Sequence, residues 1–312
     1  MGDHGELEDS YNLNVTLEHG AGRLVVRVYR PTMTVPRLEA VQRVRRFLVD
    51  GGLPFATLRR TVDDTGWCEF DGRLIEVEEF VPSDTYMESF AHICLAMPVL
   101  AKVHNRLRLA PLDEAAATAP VANHVAAADV VEAVDAGIAV LQSEALSAAE
   151  SRHVTIAQRL ARQLWERAAQ DDALPRQLVH GDFWDDNVKF TGSAVSLITD
   201  LDFMGNRPRV DDLALTLFFT NERRGRQDTS ARRRGQLRTL VDEYDRALRP
   251  HLSEAERQAL PYAIARTSLC FVAGWLRDPQ RAGEVLSRRG PAWSWAHDVI
   301  NDTDWTTAFS LV

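Results

Sequence analysis

Four residues whose types suit phosphate chemistry lie within a short span of the chain. Asp182 and Asn187 occur in VHGDFWDDNVKF, residues 179–190, and Asp200 and Asp202 in LITDLDFMGNRPRVDDLAL, residues 197–215. All four adjoin apolar segments that read as strand or buried turn, where an uncompensated carboxylate is costly. Transfer of a phosphoryl group from a nucleotide would justify them. It needs one carboxylate aimed at the acceptor hydroxyl and oxygen ligands that hold Mg²⁺ on the phosphates. A catalytic-loop Asp, an Asn after four intervening residues and a further Asp at the end of a nearby strand form such a set. Asp182 and Asn187 have that spacing, and VSLIT, residues 195–199, reads as the strand delivering Asp200.

Together with His180-Gly181 before them and Asp212-Leu213-Ala214 after, these residues resemble the aminoglycoside phosphotransferase family. That family includes choline, homoserine and related small-molecule kinases on a protein-kinase-like fold. The resemblance implies an α+β, two-lobed protein: a nucleotide-covering N-lobe, residues 1–81, with a small antiparallel sheet, and a mainly helical catalytic and acceptor-binding C-lobe, residues 82–312. Carried over position by position, it implies Asp182 as the catalytic base, Asn187 and Asp200 as Mg²⁺ ligands, and Asp202 as an auxiliary group near the metal. His180 and Asp212 would brace the loop. ATP or GTP is the implied donor. The nucleotide-covering loop falls around Ser10 to Asn14, and the adenine-contacting hinge at Glu79-Phe80-Val81, where backbone groups matter more than side chains.

Each fragment has a plainer reading. An HGD tripeptide alone is often a turn, and an Asp-x-Asp alone is a helix cap or the metal site of a nucleotide-sugar transferase. The order and spacing of the whole set favour phosphotransfer, and the chain does not open with the alternating βαβ units expected of a sugar transferase. A catalytically silent, nucleotide-binding pseudokinase is the other rival.

The elements that must position this chemistry can be read in order. Asn12–Glu18 and Arg23–Tyr29 are β-rich runs around His19-Gly20-Ala21-Gly22, a hairpin signal. No GxxxxGK[ST] or GxGxxG occurs. A cation must still grip the phosphates. The only lysines are Lys102 and Lys189, so Arg27 takes the place that the resemblance assigns to that cation, opposite Val26 and Val28 on the strand; the plainer reading is a solvent-facing arginine. Pro36 suits a first helical turn, and Leu38, Val41, Val44 or Arg45, and Leu48 form a stripe ending at Gly51-Gly52. On this helix either Glu39 or Gln42 fits the register facing the cation.

Thr57–Thr61, Trp67–Phe70 and Arg73–Phe80 read as further strands. The spacing predicts a long helix from Asp84 to Arg106, a linker over 107–124, helices over Ala127–Leu146, Ala148–Ala169 and Asp212–Thr220, and further helices over 239–249 and 253–277. Glu222–Arg238, crowded with arginine, reads as a solvated mobile loop rather than a nucleic-acid site. His92 and His104 read as structural, Trp293, Trp295 and Trp305 as core.

At 312 residues, 45% hydrophobic and with a net charge of −9, the chain can bury a substantial core. The charge disfavours nucleic acid as a partner and, with Asp185 and Asp186 beside the base, favours a cationic acceptor. Cys68, Cys94 and Cys270 lack metal or disulfide spacing and read as buried hydrophobes. No apolar span or basic leader is evident, so no membrane and a cytoplasmic location are expected. The expected activity is transfer of a nucleotide γ-phosphate to a small-molecule hydroxyl, an aminoglycoside-type antibiotic first and a homoserine- or choline-type alcohol second.

Overall fold

The computed structural model describes residues 12–20, 22–120, 123–140, 146–222, 228–275 and 282–310. They fall into two compact units. The first takes the described residues of Met1–Val121 with Leu178–His180 and Asp185–Asn206; the second takes those of Ala122–Gln177, Gly181–Trp184 and Arg207–Val312.

In the first unit β1 (Leu13–His19) and β2 (Gly22–Val28) form the expected antiparallel hairpin, with Asn14 opposite Arg27. Ala21 of its turn lies outside the described residues. Helix α1 (Val35–Asp50) starts on Thr34, whose side chain accepts the Arg37 N–H, with proline in the first turn. Then come β3 (Cys68–Phe70) and β4 (Arg73–Glu79), giving a four-stranded sheet of order β1-β2-β4-β3. Thr57–Thr61 does not join as a strand. Leu58 makes one isolated bridge to Glu78, and the run is cut short by a turn in which Thr61 N–H donates to Thr65 O. Tyr29, Met33, Leu38 and Leu74 close the small core between sheet and helix.

The long helix begins later than its sequence suggests. Thr85–Tyr86 is β5, and α2 (Phe90–Leu107) starts after Ser89, which caps the His92 N–H at 3.0 Å. The segment read as a linker contains a short helix, α3 (Glu114–Ala117). His92 stacks on Phe190 at 4.6 Å and His104 is fully buried.

The second unit opens with α4 (Val130–Ala139), α5 (Ala148–Trp165) and α6 (Ala168–Asp172). Residues 141–145 of the expected first helix lie outside the described residues. Helix α5 carries a capping box, with Ser147 and Glu150 each satisfying the other's backbone N–H. Strand β6 (Arg176–Val179) leads to the motif region, where β7 (Val188–Thr191) and β8 (Ala194–Ile198) pair in a hairpin belonging to the first unit. β5 pairs with β7, and Ile198 bridges Phe55 and donates its N–H to Pro54 O at 2.6 Å. These bonds are why the compact division does not follow a single cut after residue 81.

After β9 (Gly205–Pro208), which pairs with β6, the chain is helical: α7 (Arg209–Glu222), α8 (Ala231–Ala247), α9 (Glu254–Trp275), α10 (Ala282–Asn301) and α11 (Thr303–Thr306). The arginine-rich stretch is therefore no loop from residue 231 on. Ser230 caps α8 and Arg233 is buried, while Arg223, Arg224 and Arg226 lie outside the described residues. Trp293, Trp295 and Trp305 are core, and Trp293 Nε1–H donates to Ser268 O at 3.0 Å. Cys68 corrects the expectation of buried thiols: it stands exposed on the edge strand β3. No described helix is long and apolar enough to cross a membrane.

Candidate active-site residues

Within the first unit, the β7–β8 hairpin brings Asn187 and Asp200 to one end. Thr199 N–H donates to Asn187 O at 2.9 Å and its hydroxyl to Asn187 Oδ1 at 3.4 Å, so one residue separates the anchored Asn from Asp200. Asp200 adopts a left-handed backbone, φ 66°, and its Oδ1 accepts the Asp202 N–H at 3.2 Å. An aspartate tolerates that conformation better than most residues because such a short-range bond offsets the strain. Asp202 is buried, and its Oδ2 accepts a hydrogen bond from Asn12 Nδ2. Burial and the adjacent Asp200 charge push its carboxyl up to about 7 against the pull of Arg27.

A clamp that sequence reasoning missed fixes this loop. The buried Arg37 guanidinium of α1 donates to Asp202 O at 2.9 Å, Met204 O at 2.6 Å, Ala115 O at 2.8 Å and Ala116 O at 3.0 Å. The arginine therefore satisfies four carbonyls at once, which a lysine cannot.

Arg27 is not solvent-facing: it is 4% exposed. Its Nη1 lies 3.9 Å from Asp200 Oδ2 and its Nε 3.9 Å from Glu76 Oε1, and neither nitrogen has a hydrogen-bond partner. Burial opposes its charge, but Glu78, Tyr29, Asp200 and Asp202 outweigh burial and keep the guanidinium protonated. The acid beside it comes from β4 rather than from the helix. Glu39 is exposed, whereas Gln42 is buried and donates to Glu76 Oε2 at 2.9 Å and to Gly66 O at 2.9 Å. A Cβ at position 66 would sit 2.3 Å from the Gln42 amide, so this contact needs glycine there. Arg45 bridges Glu76 at 2.8 Å and Glu78 at 3.0 Å. Burial raises the Glu76 pKa, but Arg45 and Arg27 prevail with bonds from Gln42 and Tyr29, so its carboxyl stays below the usual value.

At the expected hinge, Glu79 N–H donates to Thr57 O at 2.9 Å and its carboxylate pairs with Arg59 at 2.6 Å near the surface. Phe80 N–H donates to Arg23 O at 3.3 Å, and Val81 is half-buried. Of the expected covering loop, Ser10 and Tyr11 lie outside the described residues. Asn12 is buried and its Oδ1 accepts the Arg30 N–H at 3.2 Å.

The donor set fits a hard cation. Asp202 Oδ1 is buried without a hydrogen-bond partner, and the neighbouring Asp200 adds a second carboxylate. Among the described residues no group of three or more His, Cys, Asp or Glu is arranged as a metal site. Mg²⁺ ordinarily takes one or two carboxylates with waters and substrate phosphates rather than an all-protein cage.

Within the second unit, Asp182 follows Gly181, whose φ of 86° demands glycine. Asp212 Oδ1 accepts the Gly181 N–H at 3.0 Å, so Asp212 does brace the loop. Thr216 Oγ1 holds Phe183 O at 2.6 Å. Asn123, in the stretch read as a linker, donates to Gly181 O at 2.5 Å and to Asp182 Oδ1 at 3.2 Å, and its Oδ1 accepts from Arg207 Nη1 at 3.5 Å. Burial lowers the Arg207 pKa, opposed by Asp212, Asp211 and Asp182. Burial pushes the Cys270 thiol up to about 12, so it is no nucleophile at neutral pH. In the first unit, His180 is buried with its ring 6.2 Å from Phe55, and Asp185–Asn187 form a 3-10 turn.

The model of the phosphotransferase enzyme family matches residues 7–251. A homoserine kinase from Gluconacetobacter diazotrophicus is 35% identical over 128 residues, which span 39% of this chain and 37% of that relative's length. Among solved structures, a microcompartment-associated aminopropanol kinase superposes with a TM-score of 0.76 at 17% identity, covering 98% of this chain and 94% of the other. An amicoumacin kinase in complex with AMP-PNP, Ca²⁺ and its ligand superposes with a TM-score of 0.69 at 11% identity, covering 95% and 88%. At those identities the likeness shows a shared kinase fold.

Proposed function

The chain belongs to the phosphotransferase enzyme family, and on that premise we propose that it moves the γ-phosphate of ATP, or of GTP, to a hydroxyl of a small amine-bearing molecule. In this reading Asp182 orients the acceptor hydroxyl and takes its proton late in the transfer, as expected for a loose transition state. The acceptor oxygen forms a bond to the γ-phosphorus as the bond to the β–γ bridging oxygen breaks, and the nucleoside diphosphate leaves. Arg27 grips phosphate oxygens, and backbone groups at Glu79 and Val81 meet the base. Asn187, Asp200 and Asp202 would hold Mg²⁺, which when bound neutralises charge developing on the phosphates.

The observation that carries the reading is Arg27: a buried, protonated guanidinium whose Nε and Nη1 have only carboxylates at 3.9 Å and no hydrogen bond. Burying such donors without partners is expensive unless a ligand supplies acceptors. As acceptor we favour a small amino alcohol over an aminoglycoside-type antibiotic, because the 35% identity over 128 residues is to a homoserine kinase. The test is a panel of homoserine, aminopropanol, ethanolamine, choline and aminoglycosides with ATP or GTP and Mg²⁺, followed by ³¹P NMR for the phosphate ester. Acceptor-dependent formation of nucleoside diphosphate and of a phosphate ester with an amino alcohol is expected. Nucleotide binding without transfer to any acceptor would instead establish the pseudokinase.

A further inference from the structure

Asn123 is half-buried, and its side chain is engaged by three polar groups. Its one amide reaches Gly181 O, Asp182 Oδ1 and the Arg207 guanidinium. Gly181 is thereby gripped on both sides, its N–H by Asp212 and its C=O by Asn123. Those bonds hold the peptide planes on either side of Gly181, the second of which leads into Asp182, and the third bond restrains the rotation of the Asp182 carboxylate. Arg207 in turn orients the Asn123 amide, so that its N–H groups, not its oxygen, face Gly181 and Asp182. A misplacement of about 1 Å in a reacting group can cost about 10²-fold in rate.

We propose that Asn123 is the positioning residue of the acceptor-activating carboxylate: its amide locks the rotation of Asp182 and the Gly181 carbonyl, and Arg207 holds that amide in the one orientation that can do so. The proposal rests on Asp182 being the group that meets the acceptor hydroxyl. It assigns work to the 118–129 segment, which carries no motif of its own.

Two substitutions separate positioning from mere structure. Asn123→Ala removes the amide. Asn123→Asp keeps its shape and offers Arg207 a better partner, but removes the donor and sets a second carboxylate against Asp182. A structural role predicts that Asn123→Asp is the milder change; positioning predicts that it is the worse. We expect Asn123→Ala to lower kcat about 10- to 100-fold with nucleotide KM changed by less than about threefold, and Asn123→Asp to lower kcat further.

A readout free of activity is the ¹³C titration of the Asp182 carboxylate, assigned through Asp182→Asn. Its midpoint should move up in Asn123→Ala, since a donor to the charged form is lost, and further up in Asn123→Asp. The groups coupled to Asp182 are Arg207 and Cys270; Arg207 in turn faces Asp211, Asp212, Arg266 and His124, and Cys270 faces Glu222 and Arg289. Asp212 is followed as the internal control. An unmoved Asp182 titration, or equal kcat in wild type and both variants, overturns the proposal. A moved titration in a protein that transfers no phosphate upholds the bracing and refutes the phosphotransferase reading alone.

Discussion

Each unit contains a buried arginine among carboxylates, and the two are built to opposite specifications. In the second unit Arg209 is saturated: Nε and Nη2 hold Glu256 at 2.6 and 3.0 Å, and Nη1 and Nη2 hold Pro250 O and His251 O at 3.1 Å each. In the first unit Arg27 stands 3.9 Å from both Glu76 and Asp200, with Nε and Nη1 making no hydrogen bond. Both are about equally buried, at 5% and 4% exposed. Burial alone therefore does not separate scaffold from site; the fraction of donors already satisfied does. A saturated buried pair holds elements together, whereas an under-satisfied one carries a standing cost that an anionic ligand can offset.

The sharpest way to break this comparison is to remove the acids on the under-satisfied side. Asp200→Ala is expected to lower turnover by on the order of 10³-fold while leaving the folded state intact, and to do more damage than Asp202→Ala. Asn187→Ala should be rescued partly by excess Mg²⁺. Steady-state rates over a Mg²⁺ series, with circular dichroism as the folding control, decide it. If Asp202→Ala proves the more harmful, the roles of the two acids are exchanged.

The saturated side should respond in stability instead. Arg209→Met leaves Glu256 buried without its cation, though still bonded to Ser253, at a cost of about 3–5 kcal/mol in denaturant unfolding, and the double change with Glu256→Leu, which gives up the Ser253 bonds, should recover part of it. A drop in kcat without a shift in the unfolding midpoint would contradict the scaffold assignment.

Arg27→Ala inverts that pattern. Glu76 keeps Arg45, Gln42 and Tyr29 as partners at 2.7–2.9 Å, so stability should fall by less than about 1.5 kcal/mol. Nucleotide KM should rise about tenfold, and Arg27→Lys should retain much of the activity. Unchanged nucleotide kinetics would return Arg27 to a structural role.

What could be read from the sequence follows from the same distinction. The place of Asp200 just past β8 was legible because that strand ends where its apolar run ends. Glu76 and Glu78 were not, because in Arg73–Glu79 strand alternation offers Ile75 and Val77 as the natural buried face. The structure buries Leu74, Glu76 and Glu78 instead, since Arg45 and Arg27 reach them from α1 and β2. Asn123 and Arg37 were invisible for a different reason: each acts on backbone carbonyls distant in sequence, and a carbonyl leaves no mark on residue identity. Arginine density misled in the other direction at Ala231–Arg238, where the Ser230 cap was the better guide.

The smallest expected effect lies in the second unit, at the edge of its charge network. His124 Nε2 is 3.5 Å from Asp211 Oδ2, a contact that favours the imidazolium, yet burial together with Arg207, Arg266 and Arg176 outweighs one carboxylate and holds the His124 pKa well below 6.5. The folded state therefore keeps this imidazole neutral where the unfolded chain protonates it. Above pH 6.5 neither state is charged and the residue is silent. As pH falls below 6.5 the unfolded chain binds a proton that the native state does not, and stability declines by at most about 1.4 kcal/mol per pH unit until the folded pKa is reached. Asp171 works in the opposite sense, because burial raises its carboxyl pKa above 3.8, so stability from that group grows as pH falls through its folded value. His124→Gln removes only the first contribution. Its unfolding midpoint in urea should fall less than that of the wild type between pH 7 and 5.5, with the two curves parallel above pH 7. Curves parallel throughout would mean that folded and unfolded chains protonate His124 alike, and a wild type that gains on His124→Gln as pH falls would mean that Asp211 holds His124 charged and that this corner, like Arg209, is a saturated pair.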